Sequence, residues 1–151
     1  MARGSLTVRY QGGAGYLRGL DKLLDKIDAL PEAIVAELKG DLQNSADDLV
    51  EDIRAITPVG TEFEKAAGAE ILRDHVHKAD GRHDLAVQVI SDAKDAEGHG
   101  FAPHVEFGHL DANGGHVAAE PSFFPAVRRA KPKVRNRLSR ATTRGFKKAT
   151  S

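Results

Sequence analysis

Apolar residues recur at three- and four-residue spacing from Leu20 onward: Leu23, Leu24, Ile27 and Leu30, then Ile34, Leu38, Leu42, Leu49, Ile53 and Ile56. That spacing draws one apolar stripe along a helix. Pro31 divides the run, and proline suits a first helical turn. The pattern therefore predicts a short helix over 17–29 and a long one over 31–55. The long helix is a rod of roughly 38 Å at about 1.5 Å per residue, and its stripe needs a covering surface, which a sheet of the same chain is expected to supply. Upstream, Leu6, Val8 and Tyr10 alternate with polar residues as a short strand does. Gly12, Gly13 and Gly15 then read as a flexible lead-in over 11–16.

Pro58 and Gly60 end the helical pattern. Segment 61–70 has no period and reads as a mobile loop within a connection over 59–70. A strand is predicted over 71–78, a turn at Asp80–Gly81, a regular strand over 84–91 and a loop over 95–100. Alternation over 104–109 predicts a strand that pairs with 116–119 across Asn113–Gly114, a strong hairpin signal. Helical spacing returns through Phe124, Val127, Ala130, Val134, Leu138 and Ala141, giving a helix over 124–148. Pro125 fits its first turn, and Pro132 is expected to kink or restart it. Strand, helix, helix, several strands and helix in that order predict an α+β fold in one domain over 1–151. A mainly antiparallel sheet packs against a long N-terminal helix and a basic C-terminal helix.

Charge changes this picture. Lys and Arg number 22, as do Asp and Glu, so the chain is formally neutral and not a uniformly basic nucleic-acid binder. The balance hides an asymmetry: segment 19–56 has ten acids and four bases, while 121–151 has ten bases and no acid. The chain has no cysteine, which excludes a disulfide scaffold, thiolate metal sites and a cysteine nucleophile and fits a reducing cytosol. No apolar run reaches membrane-spanning length and 1–10 lacks a secretory apolar core, so a soluble cytosolic protein without a membrane partner is expected. With no Trp and 5% aromatics, a base-stacking surface is not expected.

Several steps of the chain together resemble a known family. They are Ala55-Ile56-Thr57-Pro58 at the end of the long helix, Leu72-Arg73-Asp74 after a Gly-containing loop, and Val105-Glu106-Phe107-Gly108. Pro121-Ser122-Phe123-Phe124-Pro125-Ala126 then leads into the basic helix. Their order and spacing, over about 20–143, resemble the tail-completion family of long-tailed bacteriophages. Two departures stand out: the loop before Leu72 is longer than the family pattern, and His75 stands where a small or hydroxylated residue often follows. The resemblance implies a non-catalytic structural protein of the head–tail neck, one that completes or terminates the tail. It also implies a ring, expected to be a hexamer, flanked by head-joining and tail-tube proteins, with DNA passing through without specific binding. The expected location is the virion at the head–tail junction, and the host cytoplasm during assembly.

The residues themselves offer two competing chemistries. All seven histidines lie between His75 and His116, with Glu106 among them, so a metal-dependent hydrolase is one candidate reading. On the predicted strand, however, His104 and His109 point to opposite faces, and no His-Glu-x-x-His pair occurs, so neither metal nor cofactor is expected. Nor is there a nucleophile elbow, a phosphate-binding Gly loop or a carboxylate pair, and no enzyme is expected. The basic helix allows a small DNA-binding protein as the alternative function. Within a ring, its bases, Arg128 and Arg129 among them, are expected to meet a neighbour's acidic helix through Asp47, Asp48 and Glu51. Glu106, Phe107 and Phe123 complete the expected interface. Phe124 is assigned to the core, and Phe123 to an exposed, subunit-facing position.

Overall fold

The computed structural model describes residues 7–10, 13–16, 32–66 and 68–150. The short helix expected over 17–29 lies outside them. Strand β1 (Thr7–Tyr10) and strand β2 (Gly13–Tyr16) precede helix α1 (Glu32–Ile56). Strands β3 (Val76–Asp80) and β4 (Val87–Ser91) follow, then the six-residue helix α2 (Ala102–Phe107). The short strands β5 (His109–Leu110) and β6 (His116–Val117) lead to helix α3 (Phe123–Thr150).

The α+β class is as the pattern predicted, but the sheet is mixed. Its order is β2-β1-β4-β3, with β1 antiparallel to β2, β4 antiparallel to β3, and β1 parallel to β4. A parallel pair needs a long crossover, and the chain between β1 and β4 contains α1. The glycine-rich stretch expected as a lead-in is therefore a strand, with Gly13 opposite Tyr10 and Gly15 opposite Val8. β5 and β6 form a separate two-stranded hairpin.

The principal core is a seam between the two long helices, backed by the sheet. Ile34, Leu38, Leu42, Ala46, Leu49 and Ile53 of α1 meet Phe123, Ala126, Ala130, Val134, Leu138 and Ala141 of α3, with Val76, Val87 and Val89 from β3 and β4. The stripe on α1 is thus covered by α3 as well as by the expected sheet. Small residues on α3 let the helices come close. At Gly145, an added Cβ would lie 2.5 Å from the Ile34 Cα. The helix runs through Pro132 without restarting, because Pro132 is exposed and the buried stripe continues on both sides of it.

Charge reinforces the same seam. Asp48 of α1 meets Lys133 and Arg137 of α3 at 2.9 Å each, and Arg144 reaches Glu37 at 3.0 Å and Asp41 at 2.8 Å. Lys148 also pairs with Glu37. Acidic and basic segments expected to join neighbouring subunits therefore pair within one chain, because two antiparallel stripes that bury their apolar faces also bring their flanks together.

The connection over 59–70 is irregular, as expected, and two carboxylates anchor it to its neighbours. One oxygen of Glu64 accepts from the Thr61 N–H at 3.2 Å, and its other oxygen accepts from the Leu72 N–H at 2.8 Å. Glu70 accepts from the Lys94 N–H at 2.7 Å, and its own N–H donates to the Lys94 carbonyl at 3.0 Å. Phe63 packs on a second small core of Leu72, Ala93, Phe101, Ala102 and Val105.

Hydrogen bonds from Lys148 and then Arg144 hold the Glu37 carboxyl below its ordinary value of 4.5. The Lys133 hydrogen bond, aided by Arg137, does the same for Asp48 against the opposing cost of desolvation. A carboxyl with a lowered folded pKa adds stability above its unfolded value, and loses it as pH falls through the folded one. The urea midpoint is therefore expected to hold near neutrality and to fall below about pH 4.5. In the Lys133→Met/Arg144→Met variant this acid limb is expected to flatten. Identical limbs in wild type and variant would contradict the pairing.

Candidate interaction surfaces

The step Val105-Glu106-Phe107-Gly108 is not a strand. Residues 104–107 are helical in α2, and only His109 and Leu110 are extended. Pro103 in the first turn favours the helix, and six residues are too few for periodicity to tell helix from strand. Gly108 then turns the chain at φ 73, and a Cβ there would lie 2.6 Å from the Val117 carbonyl oxygen, so glycine is required.

Glu106 is an internal cap and not a surface group: it is 4% exposed. One oxygen accepts from the N–H groups of Ser122 at 2.7 Å and Phe123 at 3.0 Å, and the other from Phe124 at 2.9 Å. Those three donors open α3 and have no intrahelical acceptor. A carboxylate there also meets the positive end of the helix dipole. The Glu120 N–H donates to the Val105 carbonyl at 2.8 Å and closes the same unit.

This cap fixes the helix phase and corrects the assignment of the two phenylalanines. Phe123 is 3% exposed and belongs to the main core, leading the spacing through Ala126, Ala130, Val134 and Leu138. Phe124 is half-buried, with its ring 5.6 Å from that of Phe107, which is 57% exposed. Phe123 lies three residues before Ala126 and shares its face, while Phe124 is turned about 100° away from it.

Of the expected interface residues, Asp47, Glu51, Phe107, Arg128 and Arg129 are exposed. Asp47 pairs with Lys78 of β3 at 2.6 Å, and Asp48 is held in the helix seam.

Four of the seven histidines gather in two places. Nδ1 of His75 and of His77 lie 3.3 and 3.7 Å from the same Asp92 oxygen. His104 and His109, expected to diverge, stand edge to face with ring centres 5.4 Å apart, because His104 is on a helix. Phe63 packs against both, at 5.5 and 4.9 Å, and stacks on Phe101 at 5.2 Å. His109 Nε2 meets Glu62 Oε1, and its buried Nδ1 has no hydrogen-bond partner among the described residues. The sequence offers no local signal for Glu62 or Phe63 here, since they arrive from a connection with no period.

The space beside this cluster, lined by Thr61, Phe63, Val117 and Glu120 among others, is about 90 Å³. That is well below the roughly 300 Å³ of a small-molecule pocket. A second cleft of about 410 Å³ on its other side borders Asp95, His99 and Asp111. Asp95, Glu97 and His99 bring three donor atoms within 4.8 Å of one another, in a loop closed by the Lys94–Gly100 bridge. Asp95 Oδ1 already accepts from the N–H groups of His99 at 2.8 Å and Glu97 at 3.0 Å. Those donors hold its carboxyl below the ordinary range and account for its position without an ion.

No helix among the described residues is long and apolar enough to cross a membrane. Comparison with protein-family models, with curated proteins and with solved structures returned no match for the chain.

Removing the Glu106 carboxylate leaves three N–H groups at the start of α3 without that acceptor. Glu106→Ala is expected to lower unfolding free energy by about 3 kcal/mol or more, and Glu106→Gln by less because an acceptor oxygen remains. Urea unfolding measures both. A loss under roughly 0.5 kcal/mol, typical of an ordinary surface change, would contradict the capping role.

Proposed function

We propose that this chain is a structural neck protein of a tailed phage or phage-like particle, one that completes or terminates the tail and joins it to the head within a ring. The observation that carries this reading is the union of two distant motifs. Val105-Glu106-Phe107-Gly108 and the segment from Pro121 to Ala126 carry the resemblance most closely, and they form one physical unit: a carboxylate cap, a ring contact and a glycine turn. Motifs joined in this way have a structural reason to occur in that order and at that spacing, which strengthens the resemblance built on them.

The motive for a ring changes with the fold. Head-to-tail contacts close into rings when the rotation permits, and the uneven charge of the chain suggested such contacts. Four of the ten bases in 121–151 now have acidic partners on α1 of the same chain. The surface offered to neighbours is on the hairpin side, where Phe107 and Leu110 are 57% and 68% exposed. In this reading the partners are further copies, expected to be six, with head-joining and tail-tube proteins above and below. The chain acts as a non-enzymatic part of the virion and is held in the host cytoplasm before assembly.

Electron microscopy of particles carrying a tagged copy tests this. Label is expected at the head–tail junction, with several copies per particle. Particles that form normally without the chain, or that hold one copy, would overturn the proposal.

A further inference from the structure

Pairing at the helix seam leaves the outer side of α3 unmatched. Arg128, Arg129, Lys131, Arg135 and Arg140 are exposed. Among the described residues none of the five has an ion pair, in contrast to Lys133, Arg137, Arg144 and Lys148. The core side of the helix is set by Ala126, Ala130, Val134 and Leu138. At 3.6 residues per turn, Arg128, Lys131 and Arg135 fall in one row on the outer half of the helix, and Arg129 and Arg140 fall in a second row about 130° round from it, beside Lys133. Seven rises of about 1.5 Å separate Arg128 from Arg135, so the first row spans roughly 10 Å. No acid occurs from 121 to 151 to moderate their field.

A second copy of the chain cannot neutralise this face with its acidic helix. Glu37, Asp41 and Asp48 are engaged by α3, and Asp47 by Lys78. Only Glu32, Glu51 and Asp52 of α1 lack an ion pair among the described residues, against five cations opposite.

We propose that the outer face of α3 binds the phosphate backbone of duplex nucleic acid, independently of sequence. A duplex carries one negative charge per about 1.7 Å of axis, so a row of roughly 10 Å lies beside on the order of six phosphates. Four of the five cations are arginines, whose planar fork matches phosphate oxygens in pairs. The same face has one exposed amide, Asn136, too little to read base edges. No aromatic occurs from 125 to 145, so it offers no stacking platform for a single strand. The inference rests on the neck reading only for the identity of the duplex, which is the DNA crossing the head–tail junction. Phosphate contacts without base readout let a duplex slide, as passage through a ring requires.

The test is fluorescence anisotropy with two labelled duplexes of unrelated sequence, titrated with the full-length chain at about 50 and 200 mM salt. Equal affinity for both is expected, weakening steeply with salt. Arg128→Gln/Lys131→Gln/Arg135→Gln is expected to lose about tenfold or more at low salt and to reduce the salt slope by roughly 2–3, one phosphate per cation removed. Its thermal unfolding should match wild type, since none of the three is paired. Lys133→Gln, on the seam side, should bind within about twofold of wild type. Absence of wild-type binding at low salt, an unchanged triple variant, or preference for polyglutamate over duplex would each overturn the inference. Rings of normal size that ignore the duplex would sink it while leaving the neck reading in place. Duplex binding by chains never found in particles would do the reverse.

Discussion

The antiparallel seam between α1 and α3 is the interaction on which the rest of the structure depends. Apolar residues at helical spacing on each partner make it a continuous core, and the sheet closes one side through Val76, Val87 and Val89. Burying a stripe of this kind dominates folding, at about 25 cal/mol per Å² of apolar surface. The exposed ion pairs at its edges contribute little each. Their value lies in register: Asp48 toward Lys133 and Arg137, and Glu37 and Asp41 toward Arg144, are satisfied together only when the helices are aligned as they are. Gly145 allows the approach that this register needs.

A second constraint sets where α3 begins. Glu106 reaches across from α2 and receives three N–H groups, so the hairpin region and the last helix are one mechanical unit. From there Phe123 turns into the core while Phe124 stays beside Phe107. The smaller core around Phe101 is continuous with the Phe63–His104–His109 ring cluster, which joins the 59–70 connection to the hairpin. Surface left over from these requirements is where partners can act: the exposed hairpin side and the outer face of α3.

Long-range periodicity made the two helices legible, because more than six turns average out local exceptions. The Asn113–Gly114 turn was equally clear, since Gly114 has φ 79 and Asp111 organises the loop through its carboxylate. What escaped was decided by contacts between distant residues. The helical state of 104–107 rests on one proline and a short span, and with it went the apposition of His104 and His109. The burial of Phe123 follows the three- and four-residue spacing back from Ala126 and Ala130, whereas the Glu106 cap on that helix start comes from a residue far away in sequence. The glycines at 13 and 15 are strand residues because β1 pairs with them, not because of anything in their own preferences. Charge composition showed two complementary segments, but whether they meet within a chain or between chains is a property of topology. Glu64 and Glu70, which hold the 59–70 connection, carry no local sign of their backbone partners.

The acidic and basic helices satisfy each other inside one chain. A double-mutant cycle on Asp48→Ala and Arg137→Ala, read by urea unfolding at low and high protein concentration, measures it most directly. Within one chain, the coupling should be about 0.2–1 kcal/mol and unaffected by dilution. A coupling that vanishes on dilution, or is absent throughout, would place the contact between chains or nowhere and contradict the account.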